Sequence, residues 1–123
     1  MKIEVLKETF SVCKVADLSQ TDLKNTFCFI GKTDEEISLV CPHESVPANV
    51  LAREDGWRAF RIQGVLDFSL VGILAKISAL LSENGISIFA LSTFNTDYIL
   101  VKAENLDTAL GILMKNGYSV IKK

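Results

Sequence analysis

The chain's one histidine, His43, stands two residues after Cys41, with Pro42 between them. A thiol and an imidazole are the parts of a nucleophile and its base, but such partners come from separate elements that aim them at each other. Here Cys41 is expected to end a strand, and His43 to occupy a Pro-containing loop at the surface. No catalytic residue is assigned. The nucleophile elbow GxSxG, the phosphate loop of nucleotide hydrolases and the dinucleotide fingerprint GxGxxG have no counterpart in the chain. Asp34-Glu35-Glu36 reads as a solvated turn rather than a ligand cluster, so neither a metal nor a cofactor is expected. An enzyme is therefore not expected.

Two other segments carry binding chemistry. In Gly64-Val65-Leu66-Asp67-Phe68-Ser69-Leu70-Val71-Gly72 a loop runs into a helix. Backbone N–H groups at a helix N-terminus lack partners within the helix and favour an anion such as a carboxylate. Gly72, placed in the first turn, costs about 1 kcal/mol relative to alanine. Close approach of a ligand or of neighbouring backbone accounts for that cost, and so does tight packing of the helix on a sheet. The second segment, Ser92-Thr93-Phe94-Asn95-Thr96-Asp97, groups hydroxyls, an amide and a carboxylate with one aromatic ring. That set can hold an ammonium group and an aliphatic or planar side chain. The same residue types are ordinary turn formers.

The elements that must position these segments are clearest in the second half. Residues 57–63 read as a strand. Leu70, Ile73, Leu74, Ile77, Leu80 and Leu81 recur on one helical face, with Asp67 or Ser69 as cap and Gly85 as terminator. Residues 86–93 and 98–103 read as a hairpin around the second segment. Asn105 opens a helix closed by Gly117, and residues 118–121 form a last strand. The order β-α-β-β-α-β, with two helices on one face of a four-stranded antiparallel sheet, is ferredoxin-like and of the α+β class. In the first half, residues 9–15 are expected as a strand, and residues 26–30 and 37–41 as a hairpin. Residues 16–25 show no full amphipathic helix, only a turn or two around Asp17-Leu18-Ser19. Pro47 suits the first turn of a short helix running to about Arg53. An echo links the halves: Thr33-Asp34 and residues 37–40 are matched by Thr96-Asp97 and residues 98–101, about half the chain further on. This suggests a degenerate duplication, with a first module over residues 1–56 and a second over residues 57–123.

Composition bounds the rest. The 123 residues are 49% hydrophobic and carry a net charge of −2, enough apolar surface to bury a core. No basic excess argues for nucleic acid. Residues 66–81 are too short and too polar to span a bilayer. The N-terminus alternates charged and apolar residues where a secretory signal needs an apolar run. Cys13, Cys28 and Cys41 are odd in number and form no CxxC pattern, as in a reducing compartment. A cytoplasmic location is expected, with no membrane partner.

Residues 57–74 followed by residues 85–101, together with the hairpin of residues 31–42, resemble an ACT domain. More narrowly they resemble the small tandem-ACT proteins related to aspartate kinase regulatory domains and to CASTOR-type arginine sensors. The resemblance implies two ferredoxin-like ACT modules, the N-terminal one degenerate, and a non-enzymatic regulatory role. It implies that an amino acid is held at an ACT–ACT interface, that the chain forms a homodimer, and that any output passes through a regulated partner protein. Carried over position by position, it implies that Asp67, Phe68, Ser69, Leu70, Val71 and Gly72 grip the ligand's α-carboxylate through backbone N–H groups. Thr93, Phe94 and Asp97 match positions lining the arginine pocket of the arginine-sensing relatives. There Asp97 would meet a cationic group and Phe94 the ligand's aliphatic stem. The alternative is a protein–protein interaction module without ligand binding.

Overall fold

A computed structural model describes residues 1–63 and 72–122. These form β1 (Lys2–Val15), β2 (Phe29–Lys32), β3 (Ile37–Pro42), a 3-10 turn (His43–Ser45), β4 (Val50–Ile62) and α1 (Ile73–Glu83). Then come β5 (Phe89–Ser92), β6 (Asp97–Lys102), a second 3-10 turn (Ala103–Asn105), α2 (Leu106–Lys115) and β7 (Ser119–Lys122). The chain divides into two compact units, Met1–Lys7 with Arg58–Lys123, and Glu8–Trp57. The two long strands β1 and β4, of 14 and 13 residues, each contribute to both.

In the first of these units the order β4-α1-β5-β6-α2-β7 is the expected one, but the sheet is not four-stranded and antiparallel. The strands lie in the order β7-β1-β4-β6-β5, with the first half of β1 inserted between β7 and β4. β7 runs parallel to β1, Lys2 opposite Ser119 and Val5 opposite Lys122. The alternation of charge and apolarity at the N-terminus explains this, because a strand sends successive side chains to opposite faces. Ile3 and Val5, 0% and 2% exposed, enter the core, while Glu4 points to the other face. The core joins Ile3, Val5, Phe60, Ile62, Ile99 and Val101 of the strands to Ile77 and Leu81 of α1 and Ala109, Leu110 and Leu113 of α2.

Both helices end as the glycines suggest. After α1, the Gly85 N–H donates to the Ser82 carbonyl and the Ile86 N–H to the Leu81 carbonyl, both at 3.0 Å. After α2, Gly117 and Tyr118 repeat this with Met114 and Leu113, at 3.2 and 3.1 Å. Gly85 and Gly117 sit at φ of 73° and 92°, the left-handed region that closes a helix in this way. The start of α1 differs from expectation. The N-cap position, expected at Asp67 or Ser69, is held by Gly72 at φ 80°, with no side-chain cap. Gly72 therefore lies outside the helix, and the expected cost of a glycine in the first turn does not arise. Likewise Asn105 precedes α2 without a side-chain cap bond.

The unit Glu8–Trp57 runs strand, loop, hairpin, 3-10 turn, strand. β3 pairs antiparallel with both β2 and β1, Phe29 opposite Val40 and Cys13 opposite Leu39. Its small core is Cys13, Val15, Leu39 and Cys41, with Leu18, Cys28, Val46 and Val50 packed on it. No helix forms at residues 16–25, because short polar side chains satisfy the backbone locally. The Asp17 carboxylate accepts from the Ser19 N–H at 2.9 Å and that of Asp22 from the Lys24 N–H at 3.0 Å. The expected short helix from Pro47 to Arg53 is also absent. The Val50 N–H closes one turn on the Pro47 carbonyl at 3.3 Å, and β4 begins there. The residue before a proline avoids helical angles, and Val46 is extended, at φ −62° and ψ 124°.

The two hairpins share one local geometry. In each, a threonine N–H donates at 2.9 Å to the carbonyl three residues on, Thr33 to Glu36 and Thr93 to Thr96. Lys32 faces Ile37 across one turn and Ser92 faces Asp97 across the other. Thr33 thus corresponds to Thr93, not to Thr96 as the sequence echo pairs them. The likeness continues into the 3-10 turns, where Pro42 has φ −55° and ψ 143° and Lys102 has φ −59° and ψ 142°.

Beyond its chain neighbours, no heavy atom of the described residues lies within 4 Å of the place a Cβ would take on Gly85. A side chain there meets strain from its φ alone. Gly85→Ala is expected to cost about 1–2 kcal/mol and to lower the melting temperature by about 4–8 °C. An unchanged melting curve would show that the helix end does not depend on the left-handed residue.

Candidate functional site

The β5–β6 turn is the best-defined part of the expected site. Thr93 holds it from inside, its hydroxyl donating to the Thr96 carbonyl at 3.1 Å. The Ser92 hydroxyl donates to Asp97 Oδ1 at 2.6 Å, which sets the carboxylate at the mouth of the hairpin. Phe94 is 78% exposed at the tip. Thr93, Phe94 and Asp97 are therefore brought together as expected. Thr96, a member of the same polar segment that the resemblance did not carry over as a pocket position, joins them. It is buried, and its hydroxyl donates at 2.8 Å to the carbonyl of Ile62 at the end of β4.

Of the expected carboxylate-gripping loop, Asp67, Phe68, Ser69, Leu70 and Val71 lie outside the described residues. Gly72 is described. As an N-cap without a side-chain bond, it leaves the cap role to backbone, and its carbonyl accepts from the Lys76 N–H at 2.9 Å to begin α1. It lines a cleft of about 300 Å³ with Lys76, Asn116 and Tyr118. The Lys76 ammonium stands 6.0 Å from the Tyr118 ring centroid. The turn lines a different cleft.

That second cleft, of about 350 Å³, is lined by Glu4, Arg61, Ile62, Gln63, Asn95, Thr96 and Tyr98. Alternation along the strands places Glu4, Arg61 and Tyr98 on the sheet face opposite the helices. Arg61 donates through Nε to Glu4 Oε1 at 2.7 Å and through Nη1 to the Tyr98 hydroxyl at 2.9 Å. Its Nη2 lies 2.6 Å from the same Glu4 oxygen. Burial works against the Arg61 cation, but the bonds to Tyr98 and Glu4 outweigh it and leave the guanidinium pKa above its ordinary value. None of these three residues was legible as a cluster, because they come from strands far apart in sequence.

Cys41 and His43 take different partners. Cys41 is buried beside Cys13, and burial pushes its thiol up to about 12. His43 Nδ1 lies 3.3 Å from Ser11 Oγ and 3.6 Å from Asp55 Oδ1. Ser11, His43 and Asp55 are hydrolase residue types, but the geometry is wrong for nucleophilic attack. The Ser11 hydroxyl is fully buried and donates directly to Asp55 at 2.6 Å, so it is directed at the carboxylate rather than at the imidazole that would have to take its proton. Arg53 donates to the same Asp55 oxygen at 3.0 Å. The Ser11 bond, assisted by Arg53, holds the Asp55 carboxyl below the usual carboxylate range. Among the described residues, no group of three His, Cys, Asp or Glu side chains is placed to hold a metal ion. Nor is any described helix long and apolar enough to cross a membrane.

Two measurements follow from these groups. The thiolate is the reactive form of cysteine, so at pH 8 Cys41 is expected to resist iodoacetamide in the native protein and to react once the protein is unfolded. Rapid native alkylation of Cys41 would revive a nucleophilic role. Asp55 has a folded-state pKa below its unfolded value, so its stabilisation is present above about pH 4 and is lost as the pH falls through the folded value. Asp55→Asn should therefore lower the melting temperature at pH 7 and leave it closer to that of the parent at pH 2. An equal loss at both pH values would assign the effect to packing rather than charge.

The ACT domain family matches residues 52–115, more than half of the chain. The human cytosolic arginine sensor for mTORC1 subunit 1 is 31% identical over 121 residues. That alignment covers 92% of this chain, and the chain spans 37% of the length of the human protein. A crystal structure of an Agobacterium tumefaciens protein superposes with a TM-score of 0.87 at 31% identity, covering 99% of this chain and 92% of that one. The ligand-free regulatory subunit of aspartate kinase from Thermus thermophilus shares the fold, with a TM-score of 0.63 at 12% identity and coverage of 92% and 95%. ACT domains are regulatory ligand-binding modules, and the described strands, helices and turns are those of one. The chain belongs to the ACT domain family.

Proposed function

We propose that this protein is a non-enzymatic regulatory module that binds an amino acid at an interface between ACT modules of two copies of the chain. The observation that carries the reading is the β5–β6 turn, where Asp97 is held by Ser92 beside Thr93 and the exposed ring of Phe94. A carboxylate suits a cationic end group, and a ring suits an aliphatic stem. Similarity to an arginine sensor supports arginine as the first ligand to test. Gly72 supports the other half of the site. Among the described residues no side chain caps the first N–H groups of α1, and such groups favour the ligand's carboxylate. On this reading Asp67, Phe68, Ser69, Leu70 and Val71 complete that half.

The two matching hairpins and 3-10 turns support a tandem origin, with the first half of the chain a second ACT module that has lost its helices. Self-association is supported by β5, an edge strand of the described sheet. An unpaired edge invites pairing with another chain. Beside it α1 presents Ala75, Ser78, Ala79 and Ser82 along a groove of about 600 Å³, small side chains that let a second helix approach. The proposed setting is the cytoplasm, and the output is a change in affinity for a partner protein. A ligand achieves this by favouring one arrangement of the modules over another. The 78% exposure of Phe94 also suits an interaction module without a ligand, which is the second reading.

Thermal unfolding against each proteinogenic amino acid at about 10 mM tests the proposal. A ligand present at about 100 times its dissociation constant stabilises by about 2.7 kcal/mol, a rise on the order of 10 °C for a domain of this size. A selective rise is expected, reduced in Asp97→Asn if the ligand is cationic. No rise with any amino acid would favour the interaction module.

A further inference from the structure

We propose that Cys28 and Cys41 form a reversible thiol–disulfide pair, a redox-sensitive clasp between the entry to β2 and the end of β3. The proposal is independent of the amino-acid reading, and both residues belong to the unit Glu8–Trp57. All the cysteines of the chain meet in the small core of that unit. Cys13 and Cys41, 3% and 1% exposed, are part of it, and the half-buried Cys28 packs against it.

Strand register decides which two can join. A disulfide needs Cα atoms about 4.4–6.8 Å apart. Phe29 stands opposite Val40 across the β2–β3 hairpin, and one step further along come Cys28 and Cys41. Hydrogen-bonded and non-hydrogen-bonded pairs alternate in an antiparallel ladder, and the bond from the Thr33 N–H to the Glu36 carbonyl sets the phase. Phe29 and Val40 are then a hydrogen-bonded pair. Cys28 and Cys41 fall at a non-hydrogen-bonded place, where Cα atoms approach to about 4.5 Å and side chains are closest. Cys13 stands opposite Leu39 and so is diagonal to Cys41. Diagonal neighbours lie about 7–8 Å apart, beyond a disulfide's reach without backbone movement.

Exposure assigns the order of events. Cys28, the thiol that solvent reaches, attacks one sulfur of a small disulfide such as oxidised glutathione, and one glutathione thiolate leaves. Cys41 then gives up its proton and attacks Cys28 Sγ, expelling the second glutathione thiolate. Two S–H bonds are exchanged for one S–S bond in the protein, and the oxidant becomes two thiols that carry off the two protons and two electrons. Burial pushes the Cys41 thiol up to about 12, which protects it from reagents in solution. The second step instead joins groups already held together, where proximity replaces concentration. β2 is an edge strand paired, among the described strands, with β3 alone. The bond would hold that edge in place at its first residue, and a bond made and broken in this way suits a sensor in a reducing compartment.

The test incubates the full chain at about pH 8 with oxidised glutathione or with dithiothreitol, blocks remaining thiols with N-ethylmaleimide in denaturant, and maps peptides without reduction by mass spectrometry. Amide exchange at Phe29 and Gly31 is followed in both forms. Oxidation is expected to remove the mass of two hydrogen atoms and to link Cys28 to Cys41 with Cys13 still free. It should slow exchange at both amides by about tenfold or more, and dithiothreitol should reverse both effects. Cys13→Ser should oxidise as the wild type does, and Cys41→Ser should stop at a single glutathione on Cys28. A wild type that keeps all its thiols, carries glutathione alone or links Cys13 overturns the proposal, and these outcomes need no variant to fold. A Cys28–Cys41 bond that leaves exchange unchanged clasps nothing and overturns it as well.

Discussion

The sheet of the ACT unit depends on the N-terminal half of β1. A strand's N–H and C=O groups must be paired when they are removed from water, and β7 finds its strand partner in Lys2–Val5 rather than in β4. Ile3 and Val5 then fill the centre of the core below α1 and α2. Glu4, between them, has no place in that core and is turned to the other face, where Arg61 meets it at 2.6–2.7 Å. One short stretch therefore supplies a strand edge, two core side chains and a half-buried carboxylate. The Arg61 pair is 23% and 11% exposed, and it is the Tyr98 hydroxyl that completes it. A half-buried ion pair contributes to stability only when its remaining hydrogen-bonding capacity is met.

Helix endings were legible in the sequence because they depend on local conformation. Gly85 and Gly117 each follow a run with helical periodicity, and each adopts the positive φ that such an ending needs. Strand pairing was less legible. The alternation of residues 2–8 counted only against a secretory signal, since nothing local says that β7, at the far end of the chain, is their partner. The first half of the chain shows the opposite case, in which local chemistry decides the backbone. Val46 must be extended because Pro47 follows it, whereas Leu106, at the corresponding place after the second 3-10 turn, takes helical angles of φ −59° and ψ −51° and α2 grows from it. After two 3-10 turns of similar entry geometry, one segment therefore returns to strand and the other continues as helix.

The candidate site divides in the same way. Thr93, Phe94 and Asp97 were visible because a turn brings together residues that are already neighbours in sequence. Thr96 was visible as part of that polar segment, but its bond to the Ile62 carbonyl was not, because a backbone atom has no signature of its own. Arg61 and Tyr98 were hidden within strands that read as apolar, and their pairing with Glu4 required the β1 insertion. Cys41 and His43 illustrate the reverse error that proximity in sequence invites. Two residues apart, they turn to different neighbours, one to Cys13 in a core and the other to Ser11 and Asp55.

The Arg61–Glu4 cleft and the mouth of the β5–β6 hairpin differ in how their charged groups are partnered, and under the proposed function this bears on where a charged ligand is recognised. On the face opposite the helices the Arg61 charge is answered by Glu4, so that cleft carries little net charge to attract a charged amino acid. At the mouth of the β5–β6 hairpin the Asp97 carboxylate has one oxygen engaged by a neutral hydroxyl, which leaves its charge uncompensated by Ser92. A neutral hydrogen bond orients a carboxylate without cancelling its field, and an oriented, uncancelled charge is what selects a cation. Under the proposed function, binding there alters a partner only if the ligand's carboxylate end is held by a different element. The same ligand then favours one separation of turn and helix over others, and it can shift that equilibrium only by as much as its affinities for the two arrangements differ.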